Sequence, residues 1–314
     1  MSKKIYVPVG GVAHKTTKIY APVNGVAHNV KKVYKGVDGI ARQCFVISKV
    51  LDECTWEEIG KIAAAGDASD YFAIGDIKTV AIKGKVGALS VNTTLYAYII
   101  GFDHNGAQNT IDFGLFQYVE GKNIALVDGN YGYNSTSGEK YFSINHETNL
   151  NYGGWKDCDL RYDVLGSTDV DHGNASATCA TKPVANTLMA ALPAELRAVM
   201  KPMTIYTDNT GGGANNASYV TATTDFLPLL AEFEVFGSRT HANSAEQNYQ
   251  KQYDFFKNEN SRIKYRSDTK DVAASWWLRS PAEFSTSVCN VNALGHPQNV
   301  LTHFSSGLAP IFRV

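Results

Sequence analysis

The chain has 314 residues, and 29 Lys and Arg against 30 Asp and Glu give it a net charge of −1. This balance offers no electrostatic footprint for nucleic acid or an anionic membrane, so we expect neither partner. No apolar run approaches about 18 residues and the N-terminus lacks a signal peptide, so we expect synthesis in the bacterial cytoplasm and no membrane insertion.

Five cysteines are spread through the chain without any C-x-x-C motif, namely Cys44, Cys54, Cys158, Cys179 and Cys289. An odd number at low density fits neither a disulfide framework nor a zinc site. We therefore predict buried free thiols, no metal site and no cofactor.

Residues 4–42 contain three copies of a fourteen-residue repeat, beginning at Lys4, Lys18 and Lys32. Each copy places Gly-Gly, Asn-Gly or Asp-Gly between two β-prone runs, which predicts a β-hairpin. We assign residues 1–45 to an attachment or oligomerisation segment. The alternative is a short β-meander that packs on the main domain.

The first part of the main domain, which we place at 46–314, has signals for one helix and several strands. We predict a strand at 46–50 and a helix from the capping box Thr55-Trp56-Glu57-Glu58 to about Ala65. Further strands are predicted at 71–74, 78–82 and 95–100, the last of them central in a sheet. Asp103, His104 and Asn105 follow as a polar turn, which could also bind a cation.

The second part of the main domain is less regular. Residues 187–200 predict a broken helical pair, with Pro193 in the first turn of its second helix. Glu232 and Glu234 lie two apart in an apolar run, as on one face of a strand. There they could form an acid pair, belong to a solvated strand face or serve as structural partners of arginine. Tyr249, Tyr253 and Phe256 recur at helical spacing, which predicts a packed helix within 241–257.

The C-terminal stretch, 276–314, has ends typical of a rigid frame, with aromatic and β-branched residues and prolines. Between them, 282–306 keeps neither the period of a strand nor that of a helix. Apolar groups scattered among Ser, Thr, Asn and Gly suggest a binding loop held by two anchored ends. An ordinary irregular stretch is the alternative.

Motifs of known enzyme classes are missing from the sequence: there is no G-x-S-x-G, P-loop or dinucleotide-binding fingerprint. His146-Glu147 begins like a zinc-protease helix, but Leu150 stands where the second histidine belongs. We therefore predict no catalytic residues and no enzymatic activity.

Several motifs resemble those of phage and gut-bacterial variable proteins that diversity-generating retroelements rewrite. They are Trp277-Leu278-Arg279-Ser280-Pro281, Cys289-Asn290-Val291-Asn292 and Gly307-Leu308-Ala309-Pro310-Ile311-Phe312-Arg313-Val314, with upstream matches at Gly101-Phe102-Asp103-His104-Asn105, Gly153-Gly154-Trp155 and 230–237. The resemblance implies an α+β, C-type-lectin-like domain over 46–314, with a mixed β core, two main helices and long loops. The N-terminal repeats resemble those of phage tail proteins.

The resemblance divides the C-terminus into variable and framework positions. Variable, ligand-binding positions would be Ala282, Glu283, Phe284, Thr286, Ser287, Leu294, His296, Gln298, Val300, Leu301, His303, Phe304 and Ser306. Framework positions would be Trp276, Trp277, Arg279, Pro281, Cys289, Asn290, Asn292, Gly295, Gly307 and Pro310. A calcium-dependent sugar site is not expected, because no Glu-Pro-Asn triplet is present.

The function implied is that of a phage-tail or surface-displayed protein whose diversified C-terminus binds a host-surface protein or glycan. Its place would be the virion, with the repeats contacting other tail proteins, and a homotrimer is the assembly the resemblance suggests. One alternative is a structural tail component without receptor contact. Another is an oxidase of the formylglycine-generating type, which needs a reactive cysteine pair where this chain has Cys289 alone.

Overall fold

The computed structural model describes residues 49–118, 121–134, 139–169 and 178–314 in full. Of the preceding segment it describes the backbone of six strands, β1 (Tyr6–Val9), β2 (Val12–Lys15), β3 (Tyr20–Val23), β4 (Val26–Asn29), β5 (Lys32–Val37) and β6 (Ile40–Val46). These strands pair β1 with β2, β3 with β4 and β5 with β6, each antiparallel. The predicted hairpins are thereby confirmed, while their turn dipeptides lie outside the described residues.

The rest of the chain is a mixed α+β structure built mostly from strands. Its strands are β7 (Ile77–Val86), β8 (Leu89–Phe102), β9 (Ile111–Gln117), β10 (Ile124–Ala125), β11 (Met203–Asp208), β12 (Val220–Asp225), β13 (Lys264–Arg266), β14 (Ala273–Ala274), β15 (Trp276–Pro281), β16 (Ser287–Val291), β17 (Pro297–Leu301) and β18 (Ile311–Arg313). Its helices are α1 (Trp56–Ala64), α2 (Ala68–Tyr71), α3 (Gly154–Asp157), α4 (Leu188–Ala191), α5 (Ala194–Arg197) and α6 (Glu232–Phe236). The expectation of two main helices was wrong: α1 has nine residues and the others four or five.

The four-stranded sheet has the order β18-β9-β8-β7, so the C-terminal strand pairs with a strand that lies about 200 residues earlier in the sequence. The predicted strands at 78–82 and 95–100 lie in β7 and β8, and β8 is internal, as expected. The α1 helix begins at the predicted capping box, where the Thr55 side chain accepts the Glu58 N–H. Trp56 then packs edge-on against Phe113 and Phe312, 5.6 and 5.8 Å away between ring centroids.

The strand predicted at 71–74 is absent from the described residues, and of the strand predicted at 46–50 only Val46 lies in a strand, as the last residue of β6. Tyr71 ends α2, and residues 73–76 form a turn in which the Asp76 carboxylate accepts the Ala73 N–H at 2.9 Å. Residues 49–50 have no regular structure, and residues 47–48 lie outside the described part. At 71–74 a short β-prone run is overridden by the hydrogen bonds of the turn at 73–76.

Glu232 and Glu234 lie in α6, so the prediction of a shared strand face was wrong. The helix forms because the Glu234 carboxylate reaches back to the Ala231 N–H, 2.9 Å away, as the N3 residue of a capping box does. Both carboxylates are buried and serve as structural partners.

The helical pair at 187–200 is confirmed as α4 and α5, whereas 241–257 is not a helix. It forms short 3-10 turns at Ser244–Asn248 and Asp254–Lys257. Tyr253 and Phe256 are nevertheless buried, as their spacing suggested. Tyr253 donates its hydroxyl to Asp112 and stacks on His104, so side-chain packing and not backbone periodicity fixes this segment.

No helix in the described part of the chain is long and apolar enough to cross a membrane.

Lys264 is an unusual member of the core because its side chain is fully buried. Its ammonium donates a hydrogen bond to the Tyr98 hydroxyl at 2.8 Å and lies 4.8 Å from the centroid of the Trp276 ring. Burial lowers the pKa of Lys264 to about 7. Above pH 7 the Lys264 side chain is therefore mostly neutral in the folded chain, while in the unfolded chain it still carries its proton.

We predict that Lys264 makes the free energy of unfolding rise with pH. Between pH 7 and about 9.5 the unfolded chain still holds the lysine proton that the folded chain has released, so folding gains stability as pH rises. The contribution is about 2–3 kcal/mol. Urea unfolding at both pH values should show this rise in the parent but not in Lys264→Met, while the exposed-site control Lys61→Met keeps it. Equal pH dependence in all three proteins would contradict the prediction.

Candidate binding surface

The C-terminal stretch folds into a three-stranded antiparallel sheet of order β15-β16-β17. The prediction that 282–306 is a loop throughout was therefore wrong, because β16 and β17 form a hairpin inside this interval. All residues of β16 are buried, while β17 at the edge is half-buried or exposed. A strand buried on both faces shows no alternation of apolar and polar residues, which explains why the sequence pattern missed it.

The predicted variable positions separate into three groups by exposure. Glu283, Phe284, Leu294, His296 and Gln298 are exposed, and Thr286, Val300, Leu301, His303 and Phe304 are half-buried. Ala282, Ser287 and Ser306 are buried, so their placement on a contact surface was wrong. Each of the three lies next to a strand or bridge of the β15-β16-β17 sheet. Ala282 follows β15, Ser287 begins β16, and Ser306 precedes Gly307, which bridges to Trp276 on β15.

Most predicted framework positions are buried: Trp276, Trp277, Arg279, Pro281, Cys289, Asn290, Gly295, Gly307 and Pro310. Asn292 is half-buried and shapes the turn between β16 and β17. Its side-chain oxygen accepts the N–H groups of Leu294 and His296 at 2.9 and 3.1 Å. Gly295 completes this turn at a φ of 82°, which favours glycine.

Arg279 on β15 makes a bidentate ion pair with Glu234 on α6. Its two terminal nitrogens lie 2.6 and 2.8 Å from the Glu234 oxygens, and its remaining donors reach Thr207 Oγ1 and the Leu229 carbonyl. Burial opposes ionisation of Glu234, but the charge and hydrogen bonds of Arg279 lower its pKa. The pair thus stays ionised and joins β15, β11 and α6.

Two more buried carboxylates hold the end of β15. Glu232 accepts the N–H groups of Thr240, His241 and Ala242, and its own N–H donates to the Ser280 hydroxyl. The Ser280 hydroxyl in turn donates to Glu246 at 2.6 Å. Burial raises the pKa of Glu246 to about 7. The end of β15 is therefore tied to the segments that surround it.

Asn151 positions the connection between β15 and β16, a role that no local sequence pattern indicates. Its side-chain nitrogen donates to the carbonyls of Phe284 and Ser287 at 2.8 and 2.7 Å, and its oxygen accepts the Gly212 N–H at 2.7 Å. A side chain at Gly211 would begin 1.9 Å from the Asn151 carbonyl oxygen, so glycine is required there. Contacts between residues more than 130 positions apart leave no local sequence signal.

Exposed apolar side chains lie in the C-terminal stretch and on two segments that are hydrogen-bonded to it. The members are Tyr133, Leu150, Tyr152, Phe284 and Leu294, exposed by 39 to 71%. The Ser305 N–H donates to the Tyr133 carbonyl, and the Asn151 N–H donates to the Ser285 carbonyl. We call these five residues together with β17, His303 and Phe304 the C-terminal surface. Sequence reasoning missed Tyr133, Leu150 and Tyr152, which lie in Gly- and Asn-rich stretches.

A cavity of about 420 Å³ opens within this surface. It is lined by Asn145, Thr148, Leu150, Tyr152, Asp157 and Asp159. The Thr302 carbonyl accepts the Asn145 N–H, and the Thr302 hydroxyl donates to the Thr148 carbonyl. The cavity therefore adjoins the segment after β17.

Charged side chains lie beside the C-terminal surface around Glu283. Glu283 lies 3.6 Å from His241 Nδ1 and 4.0 Å from an Arg239 terminal nitrogen. The same His241 nitrogen is 3.2 Å from the side-chain nitrogen of Asn299 on β17. These polar groups stand beside the apolar ones, an arrangement suited to recognition by both contact area and hydrogen bonds.

Groups of the kinds that bind metals or act in catalysis have structural roles or are buried. Asp103 closes a turn, because its carboxylate accepts the Thr110 N–H at 2.9 Å. Within the described residues, no three His, Cys, Asp or Glu side chains are grouped so that they could hold a metal ion. Cys54, Cys158, Cys179 and Cys289 are free and buried. Burial raises the pKa of Cys289 well above its usual range, which keeps this thiol protonated.

We predict that Arg279→Met lowers the free energy of unfolding by about 3–5 kcal/mol, because it leaves the buried Glu234 carboxylate without a cation. Arg239→Met is the matched control. That side chain is one-third exposed and 4.0 Å from its carboxylate, so about 1 kcal/mol or less should be lost. Urea unfolding at pH 7 measures both, and equal losses would contradict the assigned role of Arg279.

Comparison with known proteins identifies the family. A family model described as "Domain of unknown function (DUF6273)" matches residues 139–314, which is more than half of the chain. The matched region contains Asn151, Glu234, Arg279 and the whole β15-β16-β17 sheet. No curated protein matches the chain, and no solved structure matches it. The chain belongs to the DUF6273 domain family.

Proposed function

We propose that this chain is a receptor-binding protein that contacts a host-surface protein or glycan through the C-terminal surface. The observation that carries the proposal is the contrast within 276–314. A fully buried β15 and β16 are held by Arg279, Glu232 and Asn151, while the segments between and after them expose apolar side chains.

Exposed apolar groups on neighbouring segments support binding as the role of this surface. Single exposed apolar residues are ordinary, but clusters of them with polar neighbours mark interaction sites. Tyrosine and phenylalanine give a large contact area at a low cost in side-chain entropy, and the adjacent Ser, Thr and Asn can adapt their hydrogen bonds to a partner.

The way in which the exposed positions are held supports their diversification. Phe284 is held through its carbonyl, which accepts from Asn151, and Leu294 through its N–H, which donates to Asn292. Backbone contacts persist when a side chain is replaced. The surface can therefore change its chemistry while β15 and β16 keep theirs.

The fold, the location and the source of sequence variation are part of the same proposal. We infer a C-type-lectin-like fold for 46–314, a place in a phage tail with the N-terminal repeats as attachment, and diversification by a retroelement. Copies assembled as a homotrimer would strengthen weak single contacts by avidity. A structural tail component without receptor contact is the alternative.

We predict that Phe284→Ser/Leu294→Ser abolishes or strongly reduces binding to host cells and leaves stability within about 0.5 kcal/mol of the parent, since both side chains are exposed. Val50→Ser/Ile74→Ser is the matched control, because it removes two exposed apolar side chains outside the C-terminal surface. Flow cytometry of labelled protein on a panel of gut-bacterial strains measures binding, and urea unfolding measures stability. Unchanged binding by the Phe284→Ser/Leu294→Ser variant would favour the structural alternative.

Diversification has a separate test in the DNA. We expect a near-identical repeat of the codons for 282–306 that differs only at adenines, close to a reverse-transcriptase gene. Because Ala282, Ser287 and Ser306 are buried, the differences between the two repeats should concentrate in the codons of the exposed and half-buried residues. Absence of such a repeat would contradict diversification and leave the binding proposal standing.

A further inference from the structure

The cavity in the C-terminal surface is built from residues outside the interval 282–306. Its volume is about 420 Å³, within the range of about 300–1,000 Å³ that small-ligand sites occupy. All of its lining residues lie between Asn145 and Asp159. Diversification of 282–306 would leave these side chains unchanged. A ligand held in the cavity would therefore be common to variants that differ at the exposed positions.

Hydrogen bonds within this segment hold the cavity in shape. The buried Asn145 side chain accepts the Asp159 N–H at 3.3 Å and donates to the Leu150 carbonyl, so it joins two sides of the cavity. The Thr148 hydroxyl oxygen accepts the Leu150 N–H at 2.9 Å. The chain itself therefore sets the shape of the cavity, which lowers the entropic cost of binding a ligand.

Tyr152 supplies a fixed aromatic ring to the wall of the cavity. The N–H of the next residue, Gly153, donates to the Thr210 carbonyl at 2.9 Å, which holds the backbone. A Cβ atom at Gly212 would lie 2.8 Å from the Tyr152 ring, so the ring packs closely against the Gly212 backbone. Tyr152 is nevertheless 60% exposed. The free part of the ring can therefore stack on the apolar face of a ligand at a low cost in side-chain entropy.

The polar groups that remain in the cavity are mostly hydrogen-bond acceptors. Asp157 is exposed, and its carboxylate accepts no hydrogen bond from a described residue. Asp159 uses one oxygen, Oδ2, which accepts the His146 N–H at 2.7 Å. The Thr148 hydroxyl oxygen already accepts a bond, but its proton is free to be donated. The cavity thus offers carboxylate acceptors and a hydroxyl donor to a ligand.

An uncharged sugar ring matches this combination. Each sugar hydroxyl both donates and accepts, so adjacent hydroxyls can bind the two carboxylates and the Thr148 hydroxyl while the C–H face of the ring lies on Tyr152. An ammonium or guanidinium group only donates, and it would leave the Thr148 hydroxyl without an acceptor. A phosphate or an acidic sugar would be repelled by Asp157 and Asp159. The chemistry of the cavity therefore favours a neutral pyranose.

We propose that this cavity binds an uncharged sugar unit of a host-surface glycan. The proposal rests on the receptor-binding function of the C-terminal surface and selects the glycan among its possible receptors. The cavity supplies a constant contact with the sugar, while the exposed positions of 282–306 contact its surroundings and decide which glycan is bound. Specificity can then change without loss of the shared sugar contact.

The first experiment is saturation-transfer-difference NMR of the full-length chain with the methyl pyranosides of glucose, galactose, mannose, rhamnose, N-acetylglucosamine and N-acetylgalactosamine. Each is added at up to about 20 mM, which detects dissociation constants of about 1 mM. At least one should bind, and its affinity should not change between 50 and 500 mM NaCl, because the ligand carries no charge. Absence of binding by all six overturns the proposal. Salt-sensitive binding of N-acetyl-lysine amide in their place would assign the cavity to a cationic partner and overturn it as well.

The second experiment assigns the sugar to the cavity through Tyr152. Tyr152→Ala should weaken binding about tenfold, because the contact area of the ring is lost. Tyr152→Phe keeps the ring and should bind within about threefold of the parent. Tyr249→Ala is the matched control, since it removes another exposed tyrosine ring outside the C-terminal surface. Urea unfolding checks that the variants fold, and equal affinity of Tyr152→Ala and Tyr249→Ala would overturn the assignment.

Host-cell binding separates this inference from the function on which it rests. If labelled protein binds host cells and none of the six pyranosides binds or competes, the sugar assignment is wrong and the receptor-binding function stands. If a pyranoside binds in the cavity but the protein binds no strain, the receptor-binding function is wrong and the sugar site stands.

Discussion

The buried ion pair between Arg279 and Glu234 is the constraint on which the C-terminal half depends. Removing two charges from water costs several kcal/mol for each ion, and attraction offsets this only when the geometry is good and the other donors are satisfied. Here both conditions hold, because Thr207 and the Leu229 carbonyl take the remaining donors of Arg279. The β15 strand can therefore occupy one position relative to α6 and β11.

The end of the chain supplies a second anchor. Phe312 on β18 stacks on Phe113 of β9 with centroids 5.1 Å apart, and Arg313 forms an ion pair with Asp112. The segment from the end of β15 to the start of β18 is thus fixed at both ends within the core. Its middle can expose side chains without loosening the fold.

Asn151 explains how this middle segment keeps its shape. It holds backbone atoms of the β15–β16 connection, so the identity of the exposed side chains hardly enters the interaction. A surface built in this way is suited to sequence change.

Local signals sufficed for several elements. The capping box at Thr55 to Glu58, the proline before α5 and the turn dipeptides of the repeats act over a few residues, so the sequence specifies them directly. Burial on both faces of β16 and the contacts of Asn151 and Arg279 join residues far apart in the chain. Periodicity could not reveal them, and Glu232 and Glu234 were placed on a strand for the same reason. The framework motifs of the C-terminus were evident from their residues. Which of the positions between these motifs face solvent depends on packing, as buried Ala282, Ser287 and Ser306 show.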